Sequence, residues 1–145
     1  MDMEKERLRR YKDKFELIQT RKSKIESWIK GKSVEDLEKD IKSRLAAYKA
    51  FQEITEANMD ICAMMLKDTG RTVKDDYENI RKLSNQKLIP KNLEGPLKEM
   101  NGLRNRLVHE YNGLETEIAL KSIRILLPEI EKFKEAASKW LKKKT

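Results

Sequence analysis

A chain of 145 residues, of which 38% are apolar and 40% charged, has the length of one domain and can bury one modest core. Its five glycines and three prolines are too few for the frequent turns of an all-β fold. The single cysteine, Cys62, excludes an intramolecular disulfide and a zinc site built from several cysteines.

The net charge of +8 is concentrated at the two ends of the sequence. Residues 1–30 hold ten basic against six acidic side chains, and residues 132–145 hold six against one. Such a surplus attracts polyanions, RNA included. The simpler interpretation of a charge run is a solvated, lysine-rich helix face.

The sequence carries no sign of a membrane segment or a bound cofactor. No apolar run reaches the ~18 residues of a membrane span, and charges alternate where a signal peptide has its apolar core. One histidine and one cysteine cannot supply a His-rich or Cys-rich metal site. We therefore expect a cytoplasmic protein with no membrane contact, no cofactor and no metal.

The first half of the chain predicts two long helices. Apolar residues recur at three- and four-residue steps from about Glu4 to Lys30, and Gly31 ends this stripe. Ser33 with the acidic side chain three residues later resembles a capping box. The sequence predicts that a second, long helix begins there and continues to Gly70.

The second half predicts three more helices. A cap at residues 72–75 precedes a short third helix, and a fourth runs from about Leu93 to Tyr111. The short helix has an apolar stripe made of Val73, Tyr77, Ile80 and Leu83. The fifth helix, about Glu115 to Leu141, has a middle that is apolar almost all round, as in a helix that is central or shared with a second subunit.

These elements predict an all-α, up-down bundle of about five helices with mostly antiparallel neighbours. Pro128 should kink the fifth helix, and the residues after Leu141 should fray.

The fourth helix places a cation in an apolar face. At about 100° per residue, Arg104 lies within about 60° of five apolar or aromatic residues, namely Leu97, Met100, Leu107, Val108 and Tyr111. A cation in such a position is costly, so we expect it to meet a partner, an anionic ligand or a subunit interface.

Asn105 and His109 lie four residues apart on the flank of that face, and His109 is the only histidine of the chain. Arg104 and His109 are about 140° apart on an ideal helix, so one helix does not let both grip one small group. Two copies of the helix facing each other across a two-fold axis would place these side chains in one cleft.

Arg, Asn and His together suit chemistry at a phosphate. Histidines from two subunits can act as general acid and base, and Arg can bind a phosphate or stabilise the charge on a phosphorane. This set favours metal-independent RNA cleavage. A structural histidine, an interface ion pair at Arg104 and a core role for Tyr111 are the simpler interpretations.

Residues 104–109, R-N-R-L-V-H, match the R-N-x-x-x-H signature of the HEPN superfamily. Continued to Tyr111, they read Arg, four residues, His, one residue, Tyr, which resembles the HepT branch, the toxins of HEPN–MNT toxin–antitoxin systems. Ala46–Leu66 and Lys74–Pro90 are also similar to that branch, and the resemblance extends over about residues 20–141. It implies one HEPN-like domain over 1–145, in which 1–20 extend the first helix and 142–145 form a frayed basic tail.

The resemblance implies a two-fold homodimer with its active site at the dimer interface. The dimer would cleave RNA, either tRNA or mRNA, without a metal ion. Arg104 and His109 would be catalytic, with Asn105 in support. Tyr111 would be the residue that a partner MNT-type nucleotidyltransferase antitoxin modifies with AMP, which would block the cleft by charge and bulk. The superfamily often adds a polar residue from an earlier helix. The candidates here, which the sequence leaves open, are Gln52, Glu53 and Glu56.

Two other interpretations remain open. The first is a non-catalytic helical module that docks a nucleotidyltransferase partner, favoured by the apolar fifth helix. The second is a general nucleic-acid-binding protein, favoured by the basic ends, although the aromatic residues follow the helical stripes and form no visible stacking platform.

Overall fold

The computed structural model describes residues 3–109 and 115–145. Within these residues the chain forms six α-helices and one 3-10 turn, and no strand. The helices are α1 (Lys5–Ile29), α2 (Val34–Lys39), α3 (Ile41–Asp68), α4 (Asp76–Asn85), α5 (Glu94–His109) and α6 (Thr116–Lys144), and the 3-10 turn is Lys91–Leu93. The predicted all-α fold class is confirmed.

Local signals in the sequence fix several helix ends. Gly31 and Gly70 have φ of 69° and 73°, a region that glycine adopts without steric cost. At the start of α2, the Asp36 backbone N–H donates to Ser33 Oγ, and the Ser33 N–H donates to the Asp36 carboxylate, both at 3.0 Å. The predicted capping box is therefore present.

The predicted second helix is wrong in one respect, because the chain leaves helical geometry at Asp40. Asp40 has φ −91° and ψ 76°, and its carboxylate accepts a 3.1 Å hydrogen bond from the Ser43 N–H. A short acidic side chain that caps the backbone in this way competes with helix continuation. The break separates α2 from α3.

Helix α3 forms the centre of the core and contacts α1, α4, α5 and α6. Its buried side chains include Phe51, Ile54, Ile61 and Met65. The first half of α1 belongs to the same core, since Tyr11 is fully buried and donates a 2.6 Å hydrogen bond to Asp68 at the end of α3. Arg7 forms an ion pair with the same carboxylate.

Two predicted apolar stripes are only partly buried. In the α4 region, Ile80 and Leu83 are in the core, whereas Val73 and Tyr77 are exposed because α4 begins at Asp76 and Tyr77 lies on its outer side. In α6, Ile118 and Ile125 are exposed by 46% and 68%. The described chain therefore does not bury α6 all round.

Helix α6 carries Pro128 in its interior and continues through Lys144, so the three lysines for which the sequence predicts fraying form its last turn. Within the two described ranges, none of the helices combines the length and apolarity that crossing a bilayer requires.

Candidate functional site

Arg104, in the next-to-last turn of α5, is held by three side chains. Its Nε donates to Asn105 Oδ1 at 2.9 Å, and one terminal nitrogen donates to Asn101 Oδ1 at 2.7 Å and to Asp76 Oδ2 at 3.1 Å. The side chain is only 17% exposed. The described chain thus satisfies the predicted need for a partner with one carboxylate and two amides.

Asp76 comes from the first turn of α4, directly after the capping residue Asp75, whose carboxylate accepts from the Glu78 N–H. The first turn of a helix favours a carboxylate because the unpaired backbone N–H groups give it positive character. Asp76 therefore lies between the α4 N-terminus and the Arg104 guanidinium, two groups of positive character. Sequence reasoning missed it, since its partner is 28 residues away and the Asp75–Asp76 pair looks like a helix start only.

Buried polar side chains of α5 and α3 lie on the core side of this site. Asn101, one turn before Arg104, is 2% exposed, which keeps its amide oxygen directed at the guanidinium. At the adjoining contact of α3 with α5, the buried Asn58 amide donates to Met100 Sδ at 3.5 Å. Burial raises the pKa of the Cys62 thiol, and the Asp76 carboxylate raises it further, so this cysteine stays protonated at neutral pH.

Asn105 and His109 lie on the same helix but in different surroundings. Asn105 is half-buried and hydrogen-bonded to Arg104, whereas His109 is exposed at the end of α5. Val108 is also exposed, although the helical wheel assigns it to the apolar face. The core contacts of α5 end at Leu107, so the last turn of the helix is uncovered in the described part of the chain.

The three auxiliary candidates on α3 do not contact Arg104. Glu53 forms a 3.0 Å ion pair with Arg21 of α1, Glu56 is exposed, and Gln52 is half-buried. The acidic side chain that the structure brings to Arg104 is Asp76. Tyr111 lies outside the described residues.

A surface groove of about 620 Å³ runs beside the site between α4, α5 and α6. Asn105 lines it and so connects the groove to Arg104. Its other lining residues combine an exposed aromatic ring, a cation and small polar groups, and they are Tyr77, Glu99, Gly102, Leu103, Arg106, Ser122 and Leu126. In the described ranges, no three His, Cys, Asp or Glu side chains group together in a way that could hold a metal ion.

The described chain is an all-helical bundle with a partly buried polar cluster around Arg104 near the end of α5. Residues 18–137 match the family model described as "Ribonuclease HepT-like". Since the match covers most of the sequence, the chain belongs to the HepT-like ribonuclease family.

Individual relatives agree with this family. A candidate RNase of Archaeoglobus fulgidus is 32% identical over 136 residues, which make up 94% of this chain and 94% of that protein. A second candidate RNase of that organism is 47% identical over 68 residues, 47% of this chain and 52% of that protein. That alignment therefore covers about half of each protein.

Among solved structures, this chain is similar to the tri-AMPylated HEPN toxin of Shewanella oneidensis in complex with MNT antitoxin. The TM-score is 0.82, the identity is 22%, and the match covers 94% of this chain and 98% of that one. The likeness confirms the predicted HEPN-like fold.

Proposed function

We propose that this protein is an endoribonuclease toxin of a toxin–antitoxin pair, which cleaves tRNA or mRNA without a metal ion. The observation that carries the proposal is the position of Arg104, half-buried and held by Asp76, Asn101 and Asn105 within the motif R-N-x-x-x-H. A guanidinium fixed in this way suits a phosphate, because it stays charged and its second terminal nitrogen can donate to a phosphate oxygen.

The proposed reaction needs only groups that this chain supplies. His109 accepts the proton of a ribose 2′-hydroxyl while the 2′-oxygen forms a bond to the adjacent phosphorus. A second His109, from the other copy of a dimer, donates a proton to the 5′-oxygen as the P–O5′ bond breaks. The products are a 2′,3′-cyclic phosphate and a 5′-hydroxyl. Arg104 stabilises the added charge on the phosphorane, and Asn105 orients the phosphate or the 2′-hydroxyl.

The dimer is part of the proposal because one chain has one histidine. Its support is the exposed end of α5, where Val108 and His109 are accessible, together with the exposed Ile118 and Ile125 of α6. A two-fold contact through these surfaces would cover apolar area and would bring two copies of the motif together.

We further propose that an MNT-type nucleotidyltransferase antitoxin neutralises the protein by AMPylating Tyr111. The structurally similar Shewanella oneidensis toxin is described as tri-AMPylated and in complex with MNT antitoxin. In such a transfer the Tyr111 oxygen bonds to the α-phosphorus of ATP, pyrophosphate leaves, and the phenolic proton passes to solvent. Incubation with the antitoxin and ATP should add AMP to the wild-type chain and leave Tyr111→Phe unmodified, as measured by mass spectrometry. Equal modification of both proteins would contradict the assignment.

Expression of the chain without an antitoxin tests the toxin activity. We expect slowed growth and trimmed cellular RNA, and we expect His109→Ala to abolish both effects. The exposed Arg9 of α1, which lies outside the site and its groove, provides the control, and Arg9→Ala should stay toxic. Equal toxicity of His109→Ala would exclude a catalytic role for this histidine.

A non-catalytic module that docks a nucleotidyltransferase is the second candidate. The exposed isoleucines of α6 favour it, because they offer an apolar surface to a partner as well as to a second copy. Purified protein that binds the antitoxin tightly and leaves several RNAs intact would favour this candidate over the ribonuclease.

A further inference from the structure

Four lysines surround a cavity at the end of the bundle opposite His109. The cavity has a volume of about 600 Å³ and lies between the end of α4, the segment 87–91 and the last turns of α6. The lysines are Lys87, Lys91, Lys139 and Lys143, and all four are exposed. Its lining contains no carboxylate, and Glu94 lies near enough to Lys91 to offset part of that one charge. The four ammonium groups together still leave a net positive potential there.

The backbone holds one wall of this cavity in a fixed turn. Lys87 has φ 58°, in the left-handed region that non-glycine residues rarely adopt. The turn is closed by hydrogen bonds from the Lys87 N–H to Ser84 O at 3.1 Å and from the Leu88 N–H to Leu83 O at 2.9 Å. The backbone of this wall is therefore ordered in the free protein, which reduces the conformational entropy lost when a ligand binds.

The cavity lining combines the four ammonium groups with the aromatic side chain of Trp140, which is 8% exposed. Ammonium groups are hydrogen-bond donors only, so the cavity favours an acceptor-rich anion.

The positive surface extends along one face of α6. Lys132, Lys139 and Lys143 fall within about 40° of one another around the helix and span about 16 Å along it. Lys132 and Lys139 line a second cavity that adjoins the first and also contains Glu135, and Lys132 pairs with Glu129 at 3.4 Å. Lys143 also lines a third cavity, which holds three cations and two carboxylates. An elongated track of this kind matches a chain of phosphates better than one isolated phosphate.

We infer that this lysine groove binds the phosphate backbone of RNA as a second contact region, separate from the Arg104 site. The choice of RNA as the anion rests on the proposed ribonuclease function. Along α5, which begins at Glu94 near the groove, Arg104 lies about 15 Å and His109 about 22 Å away. The groove therefore holds a part of the RNA several nucleotides from the bond that is cut, and it selects RNAs long enough to reach both regions.

The test measures binding of a 2′-O-methyl RNA oligomer, which cannot undergo attack by a 2′-hydroxyl, by fluorescence anisotropy over a range of salt concentrations. The variant Lys87→Gln/Lys91→Gln/Lys139→Gln/Lys143→Gln should bind at least tenfold more weakly at 0.1 M salt. Its slope of log affinity against log salt should be smaller by roughly 3, since each of the four lost single-strand phosphate contacts removes about 0.7.

The matched control neutralises four exposed lysines outside the groove, Lys12, Lys24, Lys42 and Lys49, and should change affinity and slope much less. The double variant Lys91→Glu/Lys139→Glu provides a second test if the fourfold variant does not fold. An unchanged salt slope in the groove variants, or an equal loss in the control, would overturn the inference. Retained RNA binding with lost antitoxin binding would identify an acidic protein surface as the ligand and would overturn it as well.

Cleavage assays separate this inference from the proposed function. If the wild-type protein binds RNA through the groove and cuts none, the ribonuclease proposal is wrong and the inference that the groove binds RNA is supported. If the wild-type protein cuts RNA and the groove variant binds and cuts it equally well, the inference that the groove binds RNA is wrong and the ribonuclease proposal is supported.

Discussion

The cluster of Asp76, Asn101 and Asn105 around Arg104 explains how a cation is tolerated on a mostly buried helix face. It also fixes the direction of the guanidinium before substrate binds, which reduces the reorganisation that catalysis would require. Asp76 acts through Arg104 and is therefore a positioning residue in the proposed site.

Replacement of Asp76 tests this role. Asp76→Asn should lower kcat roughly ten- to a hundredfold, because a displaced guanidinium stabilises the transition state less well, and Asp76→Glu should restore part of the activity. The free energy of unfolding should change by less than about 1 kcal/mol, since the pair is partly solvated. RNA cleavage rates and denaturant unfolding provide the two measurements.

The control is Glu78→Gln in the same helix, which breaks the exposed pair of Glu78 with Arg81 and should leave cleavage unchanged. If Asp76→Asn cleaves RNA at the wild-type rate, Asp76 does not position Arg104 for catalysis.

At the level of secondary structure, most helix ends were predictable from residues beside them, whereas one local break and the contacts between helices were not. The capping box at Ser33 and the glycines at 31 and 70 were predictable because each acts through its own backbone. The break at Asp40 was not, since the apolar stripe continues across it and the cap depends on one carboxylate. Asp76 was missed for a related reason, because tertiary packing of α4 against α5 creates its contact with Arg104.

Asp40 makes the junction between α2 and α3 sensitive to acid. Hydrogen bonds from Ser43 and the neighbouring Lys32 lower its pKa from the usual 3.8 to about 2. A carboxylate with a depressed pKa stabilises the folded state above its unfolded pKa, and this contribution is lost as pH falls through the folded pKa. Asp40→Asn keeps a capping group without the charge, so its deficit in unfolding free energy should be largest above about pH 4 and should shrink towards pH 2.

Denaturant unfolding at a series of pH values measures this difference, with the exposed Glu38→Gln as the control. A deficit that stays constant between pH 5 and pH 2 would show that the Asp40 charge does not stabilise the junction.

On the scale of the whole molecule, the sequence located the positive charge at the two ends of the chain but not its arrangement in space. The fold brings the end of α4 and the segment 87–91 against the last turns of α6, which forms the lysine groove. Composition could not predict this juxtaposition, because Lys87 and Lys91 belong to the nearly neutral middle of the sequence. The motif at 104–109 was readable from the sequence alone, since its order and spacing are local.

The exposed isoleucines of α6 lead to a prediction about assembly. The wild-type protein should have a mass in solution of about twice the 17.1 kDa of one chain, and Ile125→Asp should reduce it to that of one chain, because a buried charge disfavours an apolar contact. Light scattering coupled to size exclusion measures both. Ser27→Asp, at an exposed position on α1, should leave the mass unchanged. A wild-type protein with the mass of one chain at micromolar concentration would contradict the proposed dimer.

The most direct measurement of the central claim is the rate at which purified protein cuts RNA in the presence of EDTA. We expect the wild-type protein to cleave under these conditions and to leave a 2′,3′-cyclic phosphate. His109→Ala should reduce the rate by 10²- to 10⁴-fold, the usual contribution of general acid–base catalysis, while Arg9→Ala, at an exposed position on α1, should leave the rate unchanged. Cleavage by His109→Ala at the wild-type rate, or loss of wild-type cleavage on addition of EDTA, would contradict a metal-independent Arg104–His109 ribonuclease site.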